Sequence, residues 1–264
     1  MDIETLRKWN ATRDSFSMLE TVDVTTGARS LLREFDTVVE APNWTSDGRF
    51  LIYNSGGRMF SYELVSGQIK AIDTGFAIDC NNDHVLSPDN SQLAVSHHTN
   101  EDATSRIYIL PLAGGDPVLV TKEGPSYLHG WSPDGQRLAY CAERGGQYDV
   151  YTISVNGGPE TQLTNEPGLD DGPEYSPSGE HIWFNSVRSG LMQVWRMNAD
   201  GANPTHMVQE EANCWFPHVS PDGRLVAYIA YSKDDVSPGD HPPNKHVELR
   251  LVPAEGGSSQ TIVQ

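Results

Sequence analysis

Three histidines and a glutamate keep nearly one distance from a recurring short phrase. His84 and His129 each stand three residues before the serine that opens Ser87-Pro88-Asp89-Asn90 and Ser132-Pro133-Asp134-Gly135. Glu174 and His218 each stand two residues before the serine of Ser176-Pro177-Ser178-Gly179 and Ser220-Pro221-Asp222-Gly223. Imidazole and carboxylate groups gathered at one level could bind a divalent metal such as Zn, Mn or Ca, and His84, His129, Glu174 and His218 are the expected ligands. The same groups could supply a base and an acid around a sugar acid. No His-x-His or His-Glu-x-x-His spacing occurs, so any such site must be assembled by the fold.

A second set surrounds the first. His97, His98, Asp171, Arg144, Arg188, Trp215 and His241 are the expected ligand-binding residues. Arg144 and Arg188 lie in glycine-containing turns, where a guanidinium either braces the turn or grips a carboxylate. Trp215, beside Phe216, offers a stacking platform or packs between neighbouring sheets. His241 lies in Ser232–Lys245, the longest departure from the repeat, and long loops in compact domains are usually functional or disordered. This loop is read as a lid or recognition loop.

The elements that must carry these residues follow from the phrase itself. It also occurs as Trp44-Thr45-Ser46-Asp47-Gly48, so the aligned residues Thr45, Ser87, Ser132, Ser176 and Ser220 are 42, 45, 44 and 44 residues apart. That period is in the range of propeller blades. Proline presets the first turn dihedral and glycine accepts a positive φ at its end. Apolar alternation on both sides, as in Leu138-Ala139-Tyr140 after the turn, makes each phrase a strand–turn–strand hairpin. An alternating strand closed by glycine follows each hairpin, as in Val150-Tyr151-Thr152-Ile153 to Gly158, and a short strand comes next. Each unit is therefore four antiparallel strands.

The copies do not match in number. The outer-strand phrase appears six times, starting with Met18–Gly27, against five hairpins. The expectation is a six-bladed all-β propeller of four-stranded antiparallel blades, with the sixth blade incomplete. Its missing hairpin would come from sequence beyond Gln264, or Met1–Arg13 would close the ring irregularly, or the sixth blade is a half blade.

These repeats resemble the TolB-like family of six-bladed propellers, the "WD40-like" class with Ser-Pro-Asp-Gly hairpins. The resemblance is strongest in Trp131–Gly158, Tyr175–Gly201 and Val219–Ala230, and it covers nearly the whole chain as a single domain, 1–264. It implies a propeller without the N-terminal domain of the Tol-system protein. Other members of the class include propellers attached to peptidases and some sugar-acid lyases.

Blade geometry sorts the candidates. First strands line a central channel, and the connections after the second strands emerge at its mouth. The four proposed metal ligands, with His97, His98 and His241, are expected there. The leading expectation is a module that binds a small anionic ligand or a protein partner at the top of the channel. The alternative is a metal-assisted lyase or hydrolase acting on an acidic saccharide.

Bulk properties set bounds. The net charge of −18 argues against nucleic-acid binding and against attachment to anionic membranes. No apolar run is long enough to span a bilayer. The first residues lack the apolar core of a signal peptide, so the periplasm is expected if a leader was removed and the cytoplasm otherwise. Cys80, Cys141 and Cys214 show no Cys-x-x-Cys spacing and read as small buried side chains.

Overall fold

In the computed structural model, which describes residues 16–264, the turn phrase is wired by its own side chains. The Ser132 hydroxyl donates to Asp134 Oδ1 at 2.6 Å, and that oxygen also accepts the Gln136 amide at 3.0 Å. The Arg137 amide then donates back to Ser132 Oγ at 2.9 Å. Thr45, Ser87 and Ser220 repeat the hydroxyl–aspartate contact at 2.6, 2.7 and 2.7 Å. Local polar satisfaction thus fixes each hairpin and leaves the flanking apolar residues to pack.

The chain divides into two compact units, Met1–Leu119 and Val120–Gln264. In the first, strands Ser17–Val22 and Arg29–Phe35 form a two-stranded sheet. Blade 1 follows with Glu40–Trp44, Phe50–Ser55, Arg58–Glu63 and Ile69–Ala71. Blade 2 has Cys80–Leu86, Gln92–His98, Ser105–Pro111 and Val118–Leu119. Ile52, Met59, Leu93, Val95 and Leu110 form an apolar core in this unit.

The second unit holds three blades. Blade 3 has Ser126–Trp131, Arg137–Arg144, Gln147–Ser154 and Thr161–Gln162. Blade 4 has Asp170–Tyr175, His181–Ser186, Gln193–Asn198 and Thr205–His206. Blade 5 has Ala212–Val219, Leu225–Ser232, Val247–Pro253 and Gln260–Val263. Trp183, Val194, Cys214, Val226 and Tyr228 are buried together in one core of this unit.

Five four-stranded blades therefore stand where the sequence led us to count six. The reason is the hairpin. Each Ser-Pro-type phrase supplies the first two strands of one sheet, and the sixth outer-strand phrase has none. Among the described residues it builds only the two-stranded sheet. The possible closure through Met1–Arg13 lies outside the described residues. All three cysteines are buried free thiols.

One irregularity recurs. In every blade the pairing of the first strand with the second slips just ahead of the turn phrase. The slips fall between Glu40 and Asn43, Cys80 and His84, Leu128 and Gly130, Asp171 and Glu174, and Trp215 and His218. A bulge re-aims the side chains around it. In three blades the bulge contains a positive-φ residue followed by proline: Ala41 (+49°), Gly172 (+61°) and Phe216 (+54°). Proline suits this place, because a bulged residue has no ladder hydrogen bond to lose.

Candidate functional site

The bulges of blades 3, 4 and 5 bring His129, Asp171, Glu174 and His218 into one cluster. His129 sits at the slip of its strand, and its Nε2 lies 3.0 Å from Asp171 Oδ1 on the next blade. Both side chains are largely buried. The Gly172 amide donates to the same carboxylate oxygen at 2.7 Å. Burial works against ionisation of Asp171, but the His129 imidazole and this amide outweigh it and hold the carboxyl below its ordinary range.

A second pair lies one blade on. His218 Nδ1 is 2.5 Å from Glu174 Oε2, and the Val219 amide donates to Oε1 at 2.8 Å. The His218 side chain is 70% exposed. Crowding by the surrounding strands and repulsion from His129 oppose a charge on it. The Glu174 carboxylate prevails and raises its pKa above the ordinary histidine value. With Nδ1 facing Glu174, Nε2 is left to meet solvent or a ligand.

Aromatic rings close the cluster. Phe216 stacks on His129 with centroids 5.8 Å apart. Trp215, fully buried, stacks on His241 at 4.5 Å, and Phe216 meets His241 edge-on at 5.2 Å. His241 comes from the loop between the second and third strands of blade 5, as the sequence led us to expect. An open pocket of about 390 Å³ lies in this loop, lined by Asp235, Val236, Ser237, Asp240, His241 and Pro242.

The other candidates make their contacts elsewhere. His84, in the first unit, is buried, with Nδ1 3.0 Å from Asn82 O and Nε2 3.2 Å from Ile52 O. Burial pushes its pKa down to about 4. His97 is buried against Phe76 and Tyr108, and its Nδ1 accepts the Asp79 amide at 3.3 Å. His98, at the end of the same strand, is half-buried. Arg144 grips Glu160 bidentately at 2.9 and 2.7 Å and also donates to Pro125 O and Ser126 Oγ. Arg188 donates to buried Asp170 at 2.6 Å and lies over the Trp195 ring at 5.1 Å. Both guanidiniums brace their own blades. Among the described residues no three His, Cys, Asp or Glu side chains gather closely enough to hold one metal ion.

Two positioning residues escaped the sequence reading. Buried Asn185 accepts the Phe216 amide on its Oδ1 at 3.1 Å, which fixes the left-handed Phe216 backbone. Buried Asn213 accepts the Met192 amide at 3.1 Å and donates to Val236 O at 2.9 Å, anchoring the start of the His241 loop. The available signal was a polar residue inside an otherwise apolar strand, as in Ile182-Trp183-Phe184-Asn185.

These features define a repeat protein whose blades present side chains through bulged first strands. The TolB β-propeller domain family matches residues 85–240, and the chain belongs to that family. It is 40% identical over 247 residues to the uncharacterized protein Atu1656 of Agrobacterium fabrum, covering 93% of this chain and 83% of that one. A solved structure of a candidate TolB from Agrobacterium tumefaciens superposes with a TM-score of 0.88 at 40% identity, covering 93% of this chain and 89% of that chain. An oligogalacturonate lyase in complex with manganese gives a TM-score of 0.60 at 16% identity, covering 93% of this chain and 72% of that one. At that identity the likeness is one of fold alone. No helix among the described residues is long and apolar enough to cross a membrane.

Proposed function

We propose that the protein is a TolB-type binding module, and that it takes a ligand or protein partner at the cluster of His129, Asp171, Glu174, Phe216, His218 and His241. One observation carries this reading. Three neighbouring first strands break their ladders at the same step, and the breaks bring two imidazole–carboxylate pairs and an aromatic wall together. The slip is common to all five blades, so the reading rests on the side chains that blades 3, 4 and 5 place at it.

The test is ligand-dependent stabilisation. A bound ligand at one hundred times its Kd adds about 2.7 kcal/mol to the folded state, so it raises the melting temperature. A panel of divalent metals, acidic saccharides and peptides is screened against the parent and a double variant, His129→Ala with His218→Ala. Stabilisation of the parent alone supports the site. Equal stabilisation of both proteins contradicts it.

A second reading is a metal-assisted lyase or hydrolase acting on an acidic saccharide. It is favoured by the Glu174–His218 pair, whose exposed Nε2 could exchange a proton or hold a metal while Glu174 orients the ring. Cleavage of an oligogalacturonate that requires added Mn²⁺ and is lost in His218→Ala supports this reading. Binding without turnover supports the first.

A further inference from the structure

The loop between Ser232 and Val247 is held at its start and loosely held at its tip. Val236 is buried beside Trp215 and Met192, and its carbonyl accepts from Asn213. Beyond it, the Asp240 amide donates to Ser237 O at 3.0 Å. Among the described residues, His241 through His246 form no hydrogen bond or ion pair. The ring contacts fixing this tip are those of His241 with Trp215 and Phe216. His241 itself is exposed, while Trp215 beneath it is fully buried.

The covered ring has unfinished business. The buried Trp215 indole Nε1–H has no hydrogen-bond partner among the described residues. A buried donor without an acceptor is costly and calls for an explanation. The rim is also acidic. Asp235 and Asp240 line the loop pocket with His241, and Asp171 lies close enough to interact with the imidazole. Crowding keeps His241 below the ordinary histidine range despite the pull of Asp171.

We propose that His241 is a built-in occupant of a recognition site for an arginine side chain, and that the tip of its loop is a cap displaced by an arginine-bearing segment of a protein partner. The inference rests on the binding reading above and names its partner chemistry. A guanidinium is planar like the imidazole it replaces, and it stacks on tryptophan. Unlike His241 it is always charged, so it gains attraction from Asp171 and Asp240. The net charge of −18 favours encounter with a basic segment.

The probes are acetyl-Gly-Arg-Gly-amide and the same peptide with citrulline, which keeps the shape of arginine without its charge. Titrations are followed by the indole N–H resonance of Trp215. The arginine peptide is expected to shift that resonance as the group stacked on the indole changes, and the citrulline peptide to bind at least tenfold more weakly. His241→Ala removes the occupant. If the cap is shut nine-tenths of the time, this variant binds the arginine peptide about tenfold more tightly than the parent. Asp240→Asn, an exposed loop change that leaves the blade core alone, weakens binding. Equal affinity for the two peptides overturns the proposal, as does unchanged or weaker binding by His241→Ala. If the arginine peptide fails while another ligand still requires His129 and His218, this inference falls and the binding reading stands.

Discussion

His84 and His129 occupy one step of the repeat, three residues ahead of the turn serine, and they meet different partners. In blade 2, His84 turns inward and both ring nitrogens face backbone carbonyls. In blade 3, His129 reaches Asp171 on the next blade and stacks on Phe216. His218, one position nearer its serine, faces Glu174 and remains open to solvent. The repeat fixes where an imidazole leaves the strand. The chemistry of that imidazole is set by what the adjoining strand offers. A carbonyl-lined, dry surrounding makes a structural histidine, and a carboxylate makes a titrating one.

The largest effect should come from the sealed member. His84→Ala leaves a buried cavity and removes the one hydrogen bond that the neutral imidazole can donate to a carbonyl, and should cost about 3 kcal/mol in chemical denaturation at pH 7. The same contrast appears in acid. The His84 pKa falls from 6.5 to about 4 on folding, so the unfolded chain takes up the proton first. Its contribution is whole above pH 6.5 and drains as the pH falls toward 4, by roughly 3 kcal/mol in all. The parent should lose this stability across that window and His84→Ala should not. An equal acid slope in both proteins would remove His84 as the cause.

The bulge supplies the next contrast. Ala41 and Gly172 hold the same step of the repeat at positive φ, and only one has a side chain. A methyl group at Gly172 would stand 2.4 Å from Asn185 Oδ1 and 3.3 Å from the Phe216 ring. Gly172→Ala should therefore cost about 2 kcal/mol and displace Phe216, because Asn185 must move while it holds the Phe216 amide. A melting temperature equal to the parent's would show that the clamp is soft.

The smallest effect belongs to the open member. His218→Ala should change stability by no more than about 0.5 kcal/mol, as an exposed ring has little packing to lose. Its raised pKa favours the protonated form in the folded state. That contribution is present below the ordinary histidine pKa and disappears as the pH rises through the folded value. This direction is opposite to that of His84.

Much of this arrangement was legible in the sequence, because it is written in local chemistry. Ser132, Asp134 and Gly135 specify a turn whatever surrounds them, so hairpins, strand order and the His241 loop could be read directly. Membership of His129, Asp171, Glu174 and His218 in first strands followed from the same phrase. The pairing between blades was not legible, since Asp171 and His129 are brought together by sheets that pack only after folding. The count of six gives way to five four-stranded blades, because the outer-strand phrase without a hairpin, already read as incomplete, builds only a two-stranded sheet among the described residues. The left-handed Phe216 was hidden as well, although the prolines Pro42, Pro173 and Pro217, each three residues before the turn Thr or Ser, mark three of the bulges.

The central claim is that neighbouring strands, rather than the step of the repeat, set whether a histidine's pKa is lowered, as in His84, or raised, as in His218. It is tested most directly by an NMR titration of the His84 and His218 ring nitrogens in the parent and in Glu174→Gln. The account predicts that His84 stays neutral down to about pH 4, that His218 titrates above the ordinary histidine range, and that Glu174→Gln lowers the His218 transition and leaves His84 unchanged. Two histidines titrating together near the ordinary value, with no response to Glu174→Gln, would contradict it.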